Sequence, residues 1–267
     1  MPTLISFVLV FVIPFSAGIF LSFTRFSSLT DFTWTGIENY RKAFSTPDFL
    51  NALKFTIKFT AVSVVIVNVA AFILALILTK GLKATNIFRT VFFMPNLIGG
   101  IVLGYIWQLI INGILSFSGV TITYDAKYGF WGLVALISWQ LTGYMMILYI
   151  AGIQGIPTDL IDAAKVDGAS SGQILRSVTI PMVMPSVTIC LFLTLTNSFK
   201  MFDANLALTD GAPSRQTAML ALDIYKSFYG RAGSQGTGQA KAVIFTLIVA
   251  AVALIQLRIT RKREVEA

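Results

Sequence analysis

Residues 156–185 read IPTDLIDAAKVDGASSGQILRSVTIPMVMP, a charged, glycine-bearing interruption between two apolar runs that are each long enough to cross a bilayer. Pro157 and Thr158 provide a helix start, Asp159 stands favourably in the first turn, and Ala163 and Ala164 follow on one face. Gly168 stops that helix. Ser170 or Ser171 can cap a second short helix through about 179, whose apolar positions Ile174, Leu175 and Val178 repeat at helical spacing before Pro181 and Pro185 re-aim the chain. The stretch therefore predicts a helix-glycine-helix elbow at a membrane surface.

The surroundings of the elbow are those of an integral membrane protein. The chain has 267 residues, is 56% hydrophobic and 12% charged, and has a mean hydropathy of +0.79, outside the soluble globular norm. A net charge of +8 raises nucleic acid as a partner, but the basic residues are scattered through connecting segments. Cations at bilayer edges are expected from snorkelling and anionic headgroups, so membrane lipid, not nucleic acid, accounts for them. Cys190 is the single cysteine and lies in an apolar run, which leaves the redox compartment open, and histidine is absent.

Apolar runs predict spans at about 4–23, 55–79, 91–111, 130–153, 183–199 and 242–257, the last extended at its start by Lys241 snorkelling. The first run carries Pro14, tolerated where neighbouring helices satisfy the freed carbonyl. No basic segment precedes it and no small-residue cleavage site follows it, so a span is preferred over a signal peptide. In the polar segment 25–54, Pro47 and Asp48 read as the start of a surface helix on the outer interface. Asn68, central in the second run, reads as a helix–helix hydrogen bond, and Gly100 and Gly104 in the third as a close-packing pair. Residues 112–128 read as an exposed turn region. Residues 200–240 read as either a functional loop or a disordered one, with Lys200 and Asp203 read as an ion pair at its rim in preference to a substrate contact. The basic residues divide almost evenly between the two sides. Their density at Lys80, Lys83 and Arg89 and in the tail at Arg258, Arg261, Lys262 and Arg263 favours termini in the cytosol.

The sequence contains no Gly-x-x-x-x-Gly-Lys-Ser/Thr phosphate loop, and its carboxylates fall in connecting segments, outside the apolar runs. The chain is therefore expected to be neither an ATPase nor a proton-coupled carrier, and its energy to come from a partner. The fourth and fifth runs combine amide, hydroxyl and aromatic groups, the mixture that suits a ligand rich in hydroxyls with apolar ring faces.

Asp162-Ala163-Ala164, Asp167-Gly168-Ala169, Ile180-Pro181 and Pro185 together resemble, in type and spacing, the membrane subunits of binding-protein-dependent ABC importers. Within them, they resemble the sugar permeases related to the larger channel subunit of the maltose transporter. Two distant segments add to the resemblance. Gly36-Ile37-Glu38-Asn39-Tyr40 is similar to that family's Gly-x-x-Asn-Tyr, and Leu208-Thr209-Asp210-Gly211-Ala212-Pro213 to its Leu-Thr-x-Gly-Gly-Pro. The family usually has Glu at Asp162, Phe at Leu175 and Gly at Ala212.

The resemblance implies one all-α integral membrane domain over 1–267, with six transmembrane helices and a cytosolic coupling elbow at 156–181 between spans four and five. Asp162, Ala163, Ala164, Asp167, Gly168 and Ala169 would contact a cytosolic ATPase dimer. The further partners would be a second, similar permease and an extracytoplasmic sugar-binding protein facing the loop at 209–213. The chain would sit in a bacterial inner membrane with both termini cytosolic, and ATP and Mg would belong to the partner ATPase. The carbohydrate would touch Gln140, Leu141, Tyr144, Thr194, Asn197, Ser198 and Met201. Of these, Tyr144 alone keeps the related subunit's residue type, which implies a substrate other than maltose. The same residues can equally serve to hold helices together. The rival readings are an ABC permease for another small solute, a stand-alone secondary transporter, which needs an ion-coupling site and usually a repeat, and a membrane-embedded enzyme.

Overall fold

The computed structural model describes residues 1–28, 31–81, 84–230 and 233–262; the basic residues Lys83 and Arg263 lie outside them. Among the described residues four helices are long and apolar enough to cross a membrane, or six if each of two bent pairs counts as one span. The fold departs from all-α at one place among the described residues. Strands β1 (Thr24–Ser28) and β2 (Asp31–Trp34) form an antiparallel hairpin after helix α1 (Pro2–Ser22), where the polar segment 25–54 begins and the sequence predicts no strand.

Helix α1 contains a π-turn at Val8–Val12. Pro14 explains it, because a proline removes its own N–H and pushes on the carbonyl four residues back, here Val10 inside the widened turn. Almost nothing in the chain covers α1. Its far end, however, is held tightly. Asn39, in helix α2 (Glu38–Ser45), donates its amide to the carbonyls of Ser22 at 2.9 Å and Thr24 at 2.8 Å. Thr237 in turn donates to Asn39 Oδ1 at 3.2 Å, and a Cβ on Gly236 would overlap the Thr24 carbonyl. The Gly-x-x-Asn-Tyr segment is thus the clamp that joins the first long helix to the last.

Pro47 does not start a separate surface helix. It opens α3 (Pro47–Leu78), whose 32 residues run on without a break because nothing between the polar start and the apolar run interrupts the hydrogen-bond ladder. One face of α3 carries Thr56, Thr60, Ser63, Val67, Ala71 and Ala75, all buried, and this small-residue stripe lets α6 (Ala126–Gln154) approach. α6 fills the space with Leu133, Leu136, Met145 and Met146, each fully buried, so these two helices form the centre of the core.

The third expected span is not straight. It consists of α4 (Thr85–Phe93), continued by a 3₁₀ turn at Met94–Leu97, and α5 (Gly100–Ser116), bent by 102°. Pro95 and the pair Gly99-Gly100 break the ladder there. The fifth, expected at 183–199, is α9 (Met184–Phe199), set at 67° to the preceding α8 (Ser171–Met182), which has a π-turn at Leu175–Thr179 just before Pro181. Between α5 and α6 the expected exposed turn is partly buried. Ile122 has no exposure, and its N–H bonds Asn112 Oδ1 at 2.8 Å.

The described residues of the segment 200–240, those at 200–230 and 233–240, are not a loose loop. They hold α10 (Asp203–Leu208) and α11 (Leu220–Tyr229), with Asn205 tying the turn between them. Its amide donates to Thr217 O at 2.9 Å and Thr209 Oγ1 at 3.1 Å, and its Oδ1 accepts from Met219 N at 2.9 Å. Helix α12 (Gln235–Arg261) begins earlier than the expected sixth span. Lys241 does not snorkel. It is 3% exposed and donates to Asp223 Oδ2 at 2.7 Å and Ser227 Oγ at 2.8 Å, because α11 places a carboxylate against it. Arg215 bonds Asp48 at 2.7 Å beside this pair, joining the loop to the start of α3.

Candidate functional site

Three helices are fixed to one another by a polar knot. Tyr149 of α6 donates to Asn68 Oδ1 at 2.8 Å, and Asn68 of α3 donates to Thr194 Oγ1 of α9 at 3.3 Å. Thr194 itself donates to the Cys190 carbonyl at 2.7 Å. In an apolar surrounding an unpaired amide is costly, so this knot sets the register of α9 against its neighbours. Asn68 is the helix–helix contact its central position suggests. One turn along α9, Ser198 is fully buried, and its hydroxyl has no partner among the described residues.

α9 also borders a cleft of about 380 Å³. Gln140, Leu141 and Ile137 line it from α6, Asn197 from α9, and Met201 and Phe202 from the turn that follows. Asn96 and Gly100 face it from the bend between α4 and α5, and Lys200 and Asp203 stand at the end of α9 and the start of α10. The bend is what makes the cleft. It frees the Ile98 carbonyl, to which Gln140 Nε2 donates at 3.3 Å. α4 can press onto α6 here only because residue 143 is glycine, since a Cβ would overlap the Phe92 carbonyl. At the other side of the bend Gly100 leaves room for Asp203, whose Cβ lies 2.9 Å from where a Gly100 Cβ would stand.

Of the seven expected substrate positions the cleft gathers four: Gln140, Leu141, Asn197 and Met201. Tyr144 stands one turn further along α6, its ring edge-on to Phe93 at 6.3 Å, and does not line the cleft. Thr194 and Ser198 are fully buried on the side of the knot. Lys200 and Asp203 form no ion pair with each other among the described residues, because the chain turns between the end of α9 and the start of α10 and takes them off a common helix face. Ile137 lies three residues before Gln140 and four before Leu141, so it was findable from them at helical spacing. Asn96 was not, since only the bend brings it to α6.

The elbow has a different character. Helix α7 (Thr158–Val166) ends with Gly168 at φ +78°, where the Gly168 N–H bonds Lys165 O at 3.0 Å and the Ala169 N–H bonds Ala164 O at 2.9 Å. This is the paired closure that a left-handed glycine permits. A capping box then opens α8: Ser170 N–H donates to Gln173 Oε1 at 2.8 Å, and Gln173 N–H to Ser170 Oγ at 3.4 Å. Asp162 pairs with Lys165 at 2.9 Å, both exposed. Ala163, Asp167 and Gly168 are also exposed, Ala164 and Ala169 half-buried, and a side chain at 168 would meet nothing within 4 Å. Among the described residues no group of three or more His, Cys, Asp or Glu is placed to hold a metal.

The profile of the family described as binding-protein-dependent transport system inner membrane component matches residues 68–265. The chain belongs to this family. It is 44% identical to the Probable starch degradation products transport system permease protein of Thermoanaerobacterium thermosulfurigenes, over 99% of this chain and 93% of that one. It is 30% identical to the Multiple sugar-binding transport system permease protein of Streptococcus mutans, over 97% and 92%. In fold it is similar to a chain of a bacterial ABC transporter involved in the import of the acidic polysaccharide alginate, with a TM-score of 0.83 at 19% identity, over 98% of this chain and 93% of that one. As a member of the family the chain is an inner membrane component of an ABC importer.

Proposed function

We propose that the chain is the permease subunit of an ATP-driven importer of a sugar or oligosaccharide. The observation that carries the sugar reading is the 44% identity, along nearly the whole chain, to a permease named for starch degradation products. The cleft agrees with it: carboxamides at Asn96, Gln140 and Asn197 offer donors and acceptors to hydroxyls, while Ile137, Leu141, Met201 and Phe202 offer apolar surface to ring faces. Tyr144, Thr194 and Ser198 would support the cleft from behind. In this reading the bent pair α4–α5 is one span and α9 another, giving six with α1, α3, α6 and α12, with both termini and the elbow of α7 and α8 in the cytosol and the loop at 209–213 outside.

The elbow would dock into a cytosolic ATPase through Asp162, Ala163, Ala164, Asp167, Gly168 and Ala169. Small exposed side chains on locally completed helices suit insertion into another protein's groove. A second permease would close the cleft, and an extracytoplasmic binding protein would deliver the sugar. ATP and Mg would bind the partner. Closure of the ATPases would move the elbow, and α8 and α9 would carry that motion to the cleft. Sugar and ATP must favour different states by free energy for such coupling to work.

The test is the purified complex with its ATPases and binding protein, reconstituted in vesicles and supplied with labelled maltose-series sugars. ATP-dependent uptake is expected, reduced about fivefold or more by Asn197→Ala, in line with the loss of ~1 kcal/mol from one hydrogen bond. In a Cys190→Ser background, a cysteine placed at 211 should react with an impermeant thiol reagent on intact cells and one at 171 should not. Uptake without ATP, or the reverse labelling pattern, rejects the proposal.

A further inference from the structure

We propose that Lys200 and Asp203 are specificity-determining residues that keep the cleft electrically balanced, so that it favours uncharged sugar rings over sugars bearing carboxylates. The inference rests on the sugar-import reading above and narrows its substrate class.

Two features single out Asp203. First, most aspartates of the described chain stand against a cation: Asp48 with Arg215, Asp125 with Lys127, Asp162 with Lys165, Asp210 with Lys226 and Asp223 with Lys241. Asp203 has no ion-pair partner among the described residues, and it lines the cleft. Secondly, the fold makes room for it. Gly100 opens the 17-residue helix α5 beside it, an end without a side-chain cap, and Asp203 Oδ2 lies 3.7 Å from where a Gly100 Cβ would stand, near the positive end of that helix. A carboxylate at this place is therefore compensated without a side-chain partner and remains available to a ligand.

Lys200 complements it. It is exposed, ends α9 and lines the same cleft, yet the turn through Met201 and Phe202 keeps it from pairing with Asp203. Had the two closed on each other, the cleft would have lost both groups to an internal salt bridge. Held apart, the carboxylate accepts from ring hydroxyls in charge-assisted bonds, and the ammonium donates to hydroxyl or ring oxygens. The pair contributes no net charge. A neutral ring satisfies both groups, whereas a uronate carboxylate gains Lys200 only by approaching the like charge of Asp203 as well, both groups being exposed at the rim of the cleft.

The two charges make opposite predictions when removed singly. The complete transporter, in lipid nanodiscs and trapped by ATP and vanadate, is titrated with maltotriose and with its analogue oxidised to a uronate at one C6. Wild type should bind maltotriose at least about tenfold more tightly than the uronate. Asp203→Asn should weaken maltotriose about tenfold, the loss expected of one charge-assisted hydrogen bond, and should narrow or reverse the preference. Lys200→Gln should widen it. Asp203→Glu, which keeps the charge, should keep the preference and thereby separate a ligand role from a merely structural one. If both neutralised variants shift the preference in the same direction, or neither shifts it, the inference is overturned. Wild type that binds and imports no maltose-series sugar would instead sink the sugar reading on which it rests.

Discussion

The elbow of α7 and α8 and the segment of α10 and α11 look alike as sequence, each a polar, glycine-bearing stretch between apolar runs, and fold by opposite means. The elbow satisfies its own backbone through the turn at Gly168 and the capping box at Ser170 and Gln173, using partners a few residues away, and none of the residues from Pro157 to Ser170 is buried. The α10–α11 segment is satisfied from a distance. Leu220 N–H bonds Thr56 of α3, Asp223 bonds Lys241 of α12, and Arg215 bonds Asp48. A segment completed locally is free to present a surface to another protein. One completed by the rest of the chain is part of the fold, and changes there act on stability first.

The largest effect should follow from breaking the buried ion pair. Asp223→Ala leaves Lys241 charged and unpaired in a nearly closed site, and should cost about 3–5 kcal/mol in thermal unfolding of the purified complex. The double change to Asp223→Leu and Lys241→Met should recover most of that loss; a double variant as unstable as the single one would mean that the pair is not what holds these elements. Next, Asn205→Ala should destabilise by about 1–3 kcal/mol, because Met219 N–H and Thr217 O lose buried partners.

In the elbow the effect on folding should be smaller and the effect on transport larger. Gly168→Leu forces a side chain into a left-handed backbone for about 1–2 kcal/mol while touching nothing in this chain. The folded subunit should persist, but ATPase association and coupled uptake should fail. Ala169→Leu should do less, since it lacks the backbone strain. Asp162→Lys should weaken coupling, and Asp162→Glu should be the mildest change of all. Full coupled transport by Gly168→Leu would remove the elbow from the docking role and with it the contrast between the two segments.

What could be read in the sequence follows the same division. Gly168, Ser170 and the helical spacing of Ile174 and Val178 act over a few residues, so the elbow's helix, glycine stop and capped second helix were visible. Asn68, polar in the middle of an apolar run, could have few roles other than a helix–helix bond. The bend at Gly99-Gly100 was missed because apolar composition measures length and not direction, and without the bend Asn96 could not be placed at the cleft. Lys241 was misread for a related reason: a lysine at the edge of an apolar run looks ready to snorkel until a carboxylate from another helix stands against it. Lys200 and Asp203 have the spacing of a helical ion pair, but the chain turns between them.

The clamp at Asn39 also has a consequence in time. Asn39 and its partner Thr237 are 198 residues apart. At a synthesis rate of ~5–20 residues per second, roughly 10–40 s separate their appearance. Helix α1, scarcely covered by the rest of the chain, must enter the lipid on its own hydrophobicity and wait there. Only when α12 has been made, with glycine at 236 where the Thr24 carbonyl must fit, can the beginning of the molecule be fastened to its end.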